Sequence, residues 1–312
     1  MINIYYFLYE NYNKKYIITF LAIIIFIYKI HSIRLSRLRK EDIGKKIIYT
    51  FWEPHEKIPS YLLLCIKTWK KFLPDYEIKI LDYKSVKNYL GEILFSEVVC
   101  KKMSLPIQVD AIRVALLKKF GGIWMDADTI ILNGKFLNEF KDFELIMFGD
   151  QKTKTQNIGF IFSANYSYVI NEWFKQIINN IRLYKEIMVK IERNNTFKNY
   201  WKSVTSWNFL GNGILDDILK NVTDKQFLRL DRNKINALPE INFFKDPKMD
   251  SIQKYQQLYF QNRDPQIILN NSKSIIMLHN SWTPSQYKTM SETKFLKQDI
   301  LLSKLLFKIL NK

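Results

Sequence analysis

"LPIQVDAIRVALLKKFGGIWMDADTIIL", residues 105–132, reads as a helix, a break and a buried strand in immediate succession. Ser104 stands before it as an N-cap, and Pro106 falls in the first turn, where a missing N–H leaves no hydrogen bond unmade. The helix is predicted to run to Phe120 and to stop at Gly121-Gly122, because glycine takes the conformations that end a helix without a Cβ clash. Ile123-Trp124-Met125 then continue as a strand. A helix that hands over to a short apolar strand is the repeating step of an α/β protein.

The flanking sequence keeps the same rhythm. Ile47–Trp52 is predicted as a first strand, Ser60–Phe72 as a helix closed by Pro74, Tyr76–Leu81 as a second strand, and residues 84–103 as short helices. Beyond the quoted stretch, Glu144–Phe148 and Asn157–Phe162 suit strands, while residues 168–192, 213–221 and 293–310 suit helices. "SIIML", residues 274–278, is strand-like and leads into "HNSWTP". The alternation predicts an α/β sandwich with a mostly parallel central sheet and flanking helices. No repeat, low-complexity tract or Pro/Gly-rich linker divides residues 45–292, so they are read as one domain.

Asp126 and Asp128 lie just past the strand. In an extended segment residues two apart project to one side, so the two carboxylates are expected to share a space. Adjacent carboxylates repel unless a proton or cation lies between them, and hard oxygen donors of this kind suit Mg²⁺ or Mn²⁺. An isolated Asp-x-Asp is also common in plain loops. The preceding helix is apolar on most faces yet carries Asp110 and Arg113 at i, i+3, either an intrahelical salt bridge or the lining of a site. His279 follows the "SIIML" strand, whereas His31 and His55 have no acidic motif beside them.

A net charge of +18 raises nucleic acid as a partner, but the charge sits at the ends. Residues 1–46 hold nine Lys/Arg against three acids, and residues 293–312 hold five against one. The middle has dispersed lysines and no basic stripe interleaved with aromatics, which argues against nucleic-acid binding. With 47% apolar residues the chain can bury a core, so disorder over most of its length is excluded. Cys65 and Cys100 cannot form a disulfide framework and suit reduced, buried thiols.

"YIITFLAIIIFIY", residues 16–28, is uncharged and apolar, and residues 1–44 are read as a membrane anchor or membrane-associated segment. Thirteen residues fall short of the roughly 20 that cross a bilayer, so a span needs Lys29 to snorkel. The excess of Lys and Arg after the segment keeps the remainder cytoplasmic if it spans. Residues 293–312 form a basic amphipathic helix, with Lys294, Lys297, Lys304 and Lys308 on one stripe and Leu302, Leu305, Leu306 and Ile309 on another. That helix suits either an anionic membrane surface or docking on the core with its lysines in water.

"KKIIYTFWEP", "LPIQVDAIRVALLKKFGGIWMDADTIIL" and "IIMLHNSWTP" resemble, in order and spacing, the Asp-x-Asp glycosyltransferases of family 32, of the bacterial capsular polysaccharide synthesis type. The resemblance covers about residues 45–285. It implies a GT-A fold, a nucleotide-sugar donor, a divalent metal, usually Mn²⁺, and transfer with retention onto a polysaccharide or lipid-linked saccharide at the cytoplasmic side of the membrane. UDP-hexoses or UDP-N-acetylhexosamines are the implied donors. Asp126 and Asp128 are implied as the catalytic metal-binding pair, Asp128 as the direct ligand and Asp126 between metal and ribose, with His279 completing the shell. Asp110 and Arg113 fall where the family contacts ribose and donor sugar, Trp52 where it packs the base, and Ser281 and Trp282 where a loop closes over the diphosphate. The family's Gly-Pro on the acceptor side is here "LGNGILDD", which offers Gly211 and Asn212 instead. Two other readings of the residues are a metal-dependent phosphotransferase of cell-surface glycan synthesis and a non-catalytic membrane-associated binding protein.

Overall fold

The computed structural model describes residues 46–311 apart from 141–142, 151–154, 194–205, 207, 223–226, 232–235, 238–242 and 271–273. The N-terminal segment of residues 1–44, with its apolar run and His31, lies outside the described residues. Among the described residues no helix is long and apolar enough to cross a membrane.

The chain from Lys46 onward is an α/β sandwich. Its main sheet has six strands: β1 (Ile47–Phe51), β2 (Glu77–Leu81), β3 (Gly122–Met125), β5 (Leu145–Asp150), β6 (Thr155–Ser163) and β7 (Phe227–Asp231), in the order β2-β1-β3-β6-β5-β7. The pairings β1–β2, β1–β3 and β5–β7 are parallel, whereas β6 runs against both β3 and β5. The departure from a parallel sheet follows from chain length. β5 ends at Asp150 and β6 begins at Thr155, so the two can only pair as a hairpin. A second sheet, unforeseen in the sequence as a sheet, joins β4 (Thr129–Ile131), β9 (Ile275–Met277) and β8 (Asn236–Ala237).

Strand residues alternate between two cores, as the pleat requires. Ile48, Ile123, Met125, Ile146 and Phe148 face the core that contains α1 (Ser60–Phe72). Tyr49, Phe51, Trp124, Leu145 and Met147 face the core that contains α4 (Leu105–Phe120) and α5 (Tyr168–Arg193). Between β2 and α4 run the short helices α2 (Tyr83–Leu90) and α3 (Glu92–Val98). The chain therefore winds from β1 to β2 over one face and returns past β1 to β3 over the other. Such a reversal opens a crevice at the carboxyl ends of the two strands, here at Phe51 and Met125.

Gly121 and Gly122 set the exit from α4. Both have positive φ, 66° and 98°, and a Cβ on Gly122 would lie 2.9 Å from the Ile47 carbonyl of β1. Two glycines thus let the helix stop and the strand enter the sheet beside β1 within one residue.

After α6 (Asn212–Leu219), the C-terminal part adds α7 (Ser251–Tyr259), α8 (Gln266–Leu269), α9 (Ser285–Lys288), α10 (Glu292–Leu296) and α11 (Leu301–Asn311). The single helix expected over residues 293–310 is two helices, broken between Leu296 and Leu301. Leu301, Leu302, Leu305, Leu306 and Ile309 are buried in the same core as α1. Of the two readings of this segment, its apolar stripe docks on the protein, and Lys71 closes the last turn by donating to the Ile309 and Leu310 carbonyls.

Candidate functional site

The crevice between the ends of β1 and β3 is a cavity of about 480 Å³. Phe51 lines it from β1 and Trp52 and Glu53 from just beyond, Asp126 from just beyond β3, residues 156–159 from β6, Leu105, Pro106, Val109, Asp110 and Arg113 from α4, Asn212 from α6, and His279 after β9. The sequence alone brought Trp52, Asp110, Arg113, Asp126, Asn212 and His279 to attention, and the fold gathers all six on one cavity. It missed Glu53 and the start of α4. The strand expected over residues 157–162 is β6, whose residues 156–159 wall the cavity.

Arg113 organises the polar wall. Its guanidinium lies 3.3 Å from Asp110 Oδ1 and 3.6 Å from Asp126 Oδ1, donates to the Ile158 carbonyl, and stands over the Trp124 ring at 5.0 Å. The Asp110 and Arg113 side chains are each only 7% exposed. The pair is thus an intrahelical salt bridge that also lines the cavity, and it takes in Asp126 as a third member. Trp124, a core residue by its burial, also donates from Nε1 to Asp126 Oδ1 at 2.8 Å. That second role gives a fixed address to a carboxylate beyond the end of its strand.

Burial disfavours the charged form of Asp110 more than Arg113 favours it, with Asp126 adding repulsion, and the carboxyl is pushed up to about 7. The space around it is tight. A Cβ on Gly211 would come within 2.7 Å of Asp110 Oδ2, and one on Gly159 within 2.8 Å of Asp126 Oδ2. Gly211, read from the sequence as acceptor-side, is thus the residue that lets α6 approach the buried carboxylate. Asn212 donates from Nδ2 to the Gln156 carbonyl at 3.1 Å and so ties α6 to β6.

The Asp-x-Asp segment is not extended. Thr129 N donates to the Asp126 carbonyl at 3.1 Å, so residues 126–129 make a turn that carries the chain from the main sheet into the second one. The expectation that both carboxylates face one space because the segment is a strand is corrected accordingly. Asp126 lines the cavity, whereas Asp128 does not and instead accepts from the backbone N–H of Asn280 at 2.9 Å. The two remain electrostatically joined: burial first, and the Asp126 charge second, raise the Asp128 carboxyl above the usual carboxylate range.

His279 is positioned by stacking. Its ring lies 3.9 Å from that of Trp282 and 5.6 Å from that of Tyr255. Tyr61 donates to Asn280 Oδ1 at 2.6 Å, and Gln256 donates to the Trp282 carbonyl at 2.9 Å, so α1 and α7 both anchor this loop. Ser281 and Trp282 do not line the cavity, and Ser281 is exposed.

Among the described residues no group of three His, Cys, Asp or Glu side chains is clustered to hold a metal ion unaided. Asp126 and Asp128 carry the hard oxygen donors that a divalent cation of the Mg²⁺ or Mn²⁺ kind takes, although only Asp126 lines the cavity. Such ions take one or two carboxylates and complete their shell with substrate phosphates and water rather than with a protein cage. Burial is the main reason that the Asp128 carboxyl is raised, and the Asp126 charge adds to it, so the two carboxylates lie within electrostatic reach of each other.

A family model described as "Capsular polysaccharide synthesis protein" matches residues 8–308. None of the curated proteins matches the chain. Two solved structures are similar at a distance. One is "PaToxG Glycosyltransferase", with 15% identity over 62% of this chain and 78% of that one and a TM-score of 0.33. The other, with 11% identity over 84% of this chain and 98% of that one and a TM-score of 0.36, is a glycosyltransferase involved in the glycosylation of the major capsid of PBCV-1. Both likenesses are too remote to bear on the site.

Proposed function

Because this chain belongs to the capsular polysaccharide synthesis protein family, we propose that it is a metal-dependent, retaining glycosyltransferase with a GT-A fold. It moves a sugar from a nucleotide-sugar, a UDP-hexose or UDP-N-acetylhexosamine by default, onto a polysaccharide or lipid-linked precursor of the capsule. The observation that carries this reading is the triad of Asp110, Arg113 and Asp126 on the wall of a cavity at the reversal point of the sheet.

The charge in the cavity supports a cation. Glu53, Asp110 and Asp126 share the lining with a single guanidinium, that of Arg113, so an anionic diphosphate meets more carboxyl groups than cations. Asp128, Asp126 and His279 would hold Mn²⁺ or Mg²⁺, which when bound supplies positive charge for the departing diphosphate. Arg113 holds Asp126 in place from behind and Trp124 fixes the same oxygen. Asp110, buried at the foot of α4, is suited to accept from a sugar or ribose hydroxyl, and its raised pKa lets it donate one as well. Trp52 supplies a flat apolar face for a base, and Trp282, stacked on His279, is suited to shut water out if its loop moves over the cavity. Residues 1–44 and the lysines of α10 and α11 are proposed to keep the enzyme on the cytoplasmic face of an anionic membrane.

The test is turnover of a panel of nucleotide-sugars with Mn²⁺, with the nucleotide product identified and the anomeric configuration of the glycoside read by NMR. Release of nucleoside diphosphate with retained configuration supports the proposal. Release of nucleoside monophosphate points to a phosphotransferase, and no turnover of any donor removes the enzymatic reading.

A further inference from the structure

Glu53 sits at the end of β1, directly after Trp52, and lines the cavity. One of its oxygens is committed: Oε2 accepts from the backbone N–H of Tyr83 at 2.9 Å. Tyr83 opens α2, whose first turn Asp82 already caps through a reciprocal pair with Ser85. Helix α2 therefore has its cap without Glu53, and the glutamate takes up one further N–H of the first turn. The other oxygen, Oε1, has no partner among the described residues. The result is a carboxylate held in a fixed pose by one oxygen, with an acceptor left over on the lining of a cavity.

A free carboxylate oxygen only accepts hydrogen bonds, which restricts what lies against it. Of the parts of a nucleotide-sugar, the diphosphate is excluded, being anionic and without N–H groups. The cation-binding carboxylates stand on the β3 side, so the phosphates belong there. The β1 side keeps Trp52, whose aromatic face suits a flat base. What fits beside Trp52 is the uncharged nucleoside, through an N–H of its base or a hydroxyl of its ribose.

We propose that Glu53 reads the donor nucleoside, its Oε1 accepting a hydrogen bond from a base N–H or a ribose hydroxyl while Tyr83 N–H fixes its Oε2. This rests on the function proposed above and deepens it. Glu53 is a specificity residue, distant in role from the sugar-transfer step. It bears on the choice of base, because a carboxylate suits an N–H edge and repels a carbonyl edge. Guanine offers two neighbouring N–H donors, whereas the N3–H of uracil is flanked by two carbonyls.

The test is titration calorimetry of the full chain with UDP, GDP, CDP and ADP in Mn²⁺, wild type against Glu53→Gln. Glutamine keeps an oxygen for Tyr83 N–H and turns the free acceptor into a donor, so the fold and its melting temperature are expected to be unchanged. Expected is a loss of affinity of about tenfold or more for the preferred nucleotide, since a hydrogen bond to a charged group is replaced by a mismatch. In turnover KM rises and kcat holds. Repeating the titration with 2′-deoxy and 3′-deoxy nucleotides separates the two donors. If the ribose is read, wild type and variant bind the deoxy ligand alike; if the base is read, the gap persists and the base preference changes in the variant. Equal affinity and equal base preference in both proteins overturn the inference and leave Glu53 as a helix-end residue. If the wild type binds no nucleoside diphosphate at all, the glycosyltransferase reading fails and this one with it.

Discussion

At the scale of single residues, one guanidinium, that of Arg113, stands between two carboxylates. Removing it leaves Asp110 buried in its protonated form and the Ile158 carbonyl without its donor, so Arg113→Ala is expected to cost about 1–3 kcal/mol in urea unfolding at neutral pH. A loss under about 1 kcal/mol, the value of an exposed pair, would contradict the burial seen here. Asp110 also makes stability depend on pH. Its folded pKa, about 7, lies above the ordinary 3.8, so the folded state holds its proton more tightly than the unfolded state does. That contribution is complete below about pH 4 and is lost as pH rises through about 7. Asp128, shifted in the same direction, adds to it. In metal-free protein the melting temperature is therefore expected to fall between pH 5 and 8, and Asp110→Asn to flatten the fall. An unchanged profile in that variant would place the dependence elsewhere.

At the scale of elements, the site is made by the places where helices and strands stop. Helix α4 was legible to the residue at both ends because Ser104, Pro106 and the glycine pair are local signals. The turn at residues 126–129 was not. Its carboxylates look alike in sequence, and only the pairing of Thr129–Ile131 with Ile275–Met277, nearly 150 residues away, turns Asp128 towards Asn280. The approach of α6 to α4 was equally hidden. A glycine next to an asparagine says nothing of a carboxylate 100 residues earlier, yet Gly211→Ala would put a Cβ 2.7 Å from Asp110 Oδ2. That variant is expected to lose about 1–3 kcal/mol of stability, as overpacked sites do, and to weaken donor binding with it. Full stability would mean that α6 can move away freely.

At the scale of the whole molecule, the alternation of strands and helices was enough for an α/β sandwich. The antiparallel run of β6 was not, because strand direction depends on where the chain goes between strands. The C-terminal segment teaches the same lesson about faces. Its leucine stripe fits lipid or protein equally in the sequence, and the tertiary fold assigns it to the protein core. Leu305→Ala is therefore expected to destabilise by about 2–5 kcal/mol, whereas Lys308→Gln on the same helix should change stability by less than about 0.5 kcal/mol. Equal, small effects at both positions would undo the docking of α11.

The proposed function has the cavity hold a nucleoside diphosphate through a cation on the Asp-x-Asp turn. It is tested most directly by titrating the wild type and Asp128→Asn with nucleoside diphosphates, each in Mn²⁺ and in EDTA. Binding that needs Mn²⁺ and disappears in the variant, with the fold intact by circular dichroism, is the expected result. Binding equally strong in EDTA, or undiminished in Asp128→Asn, would contradict it.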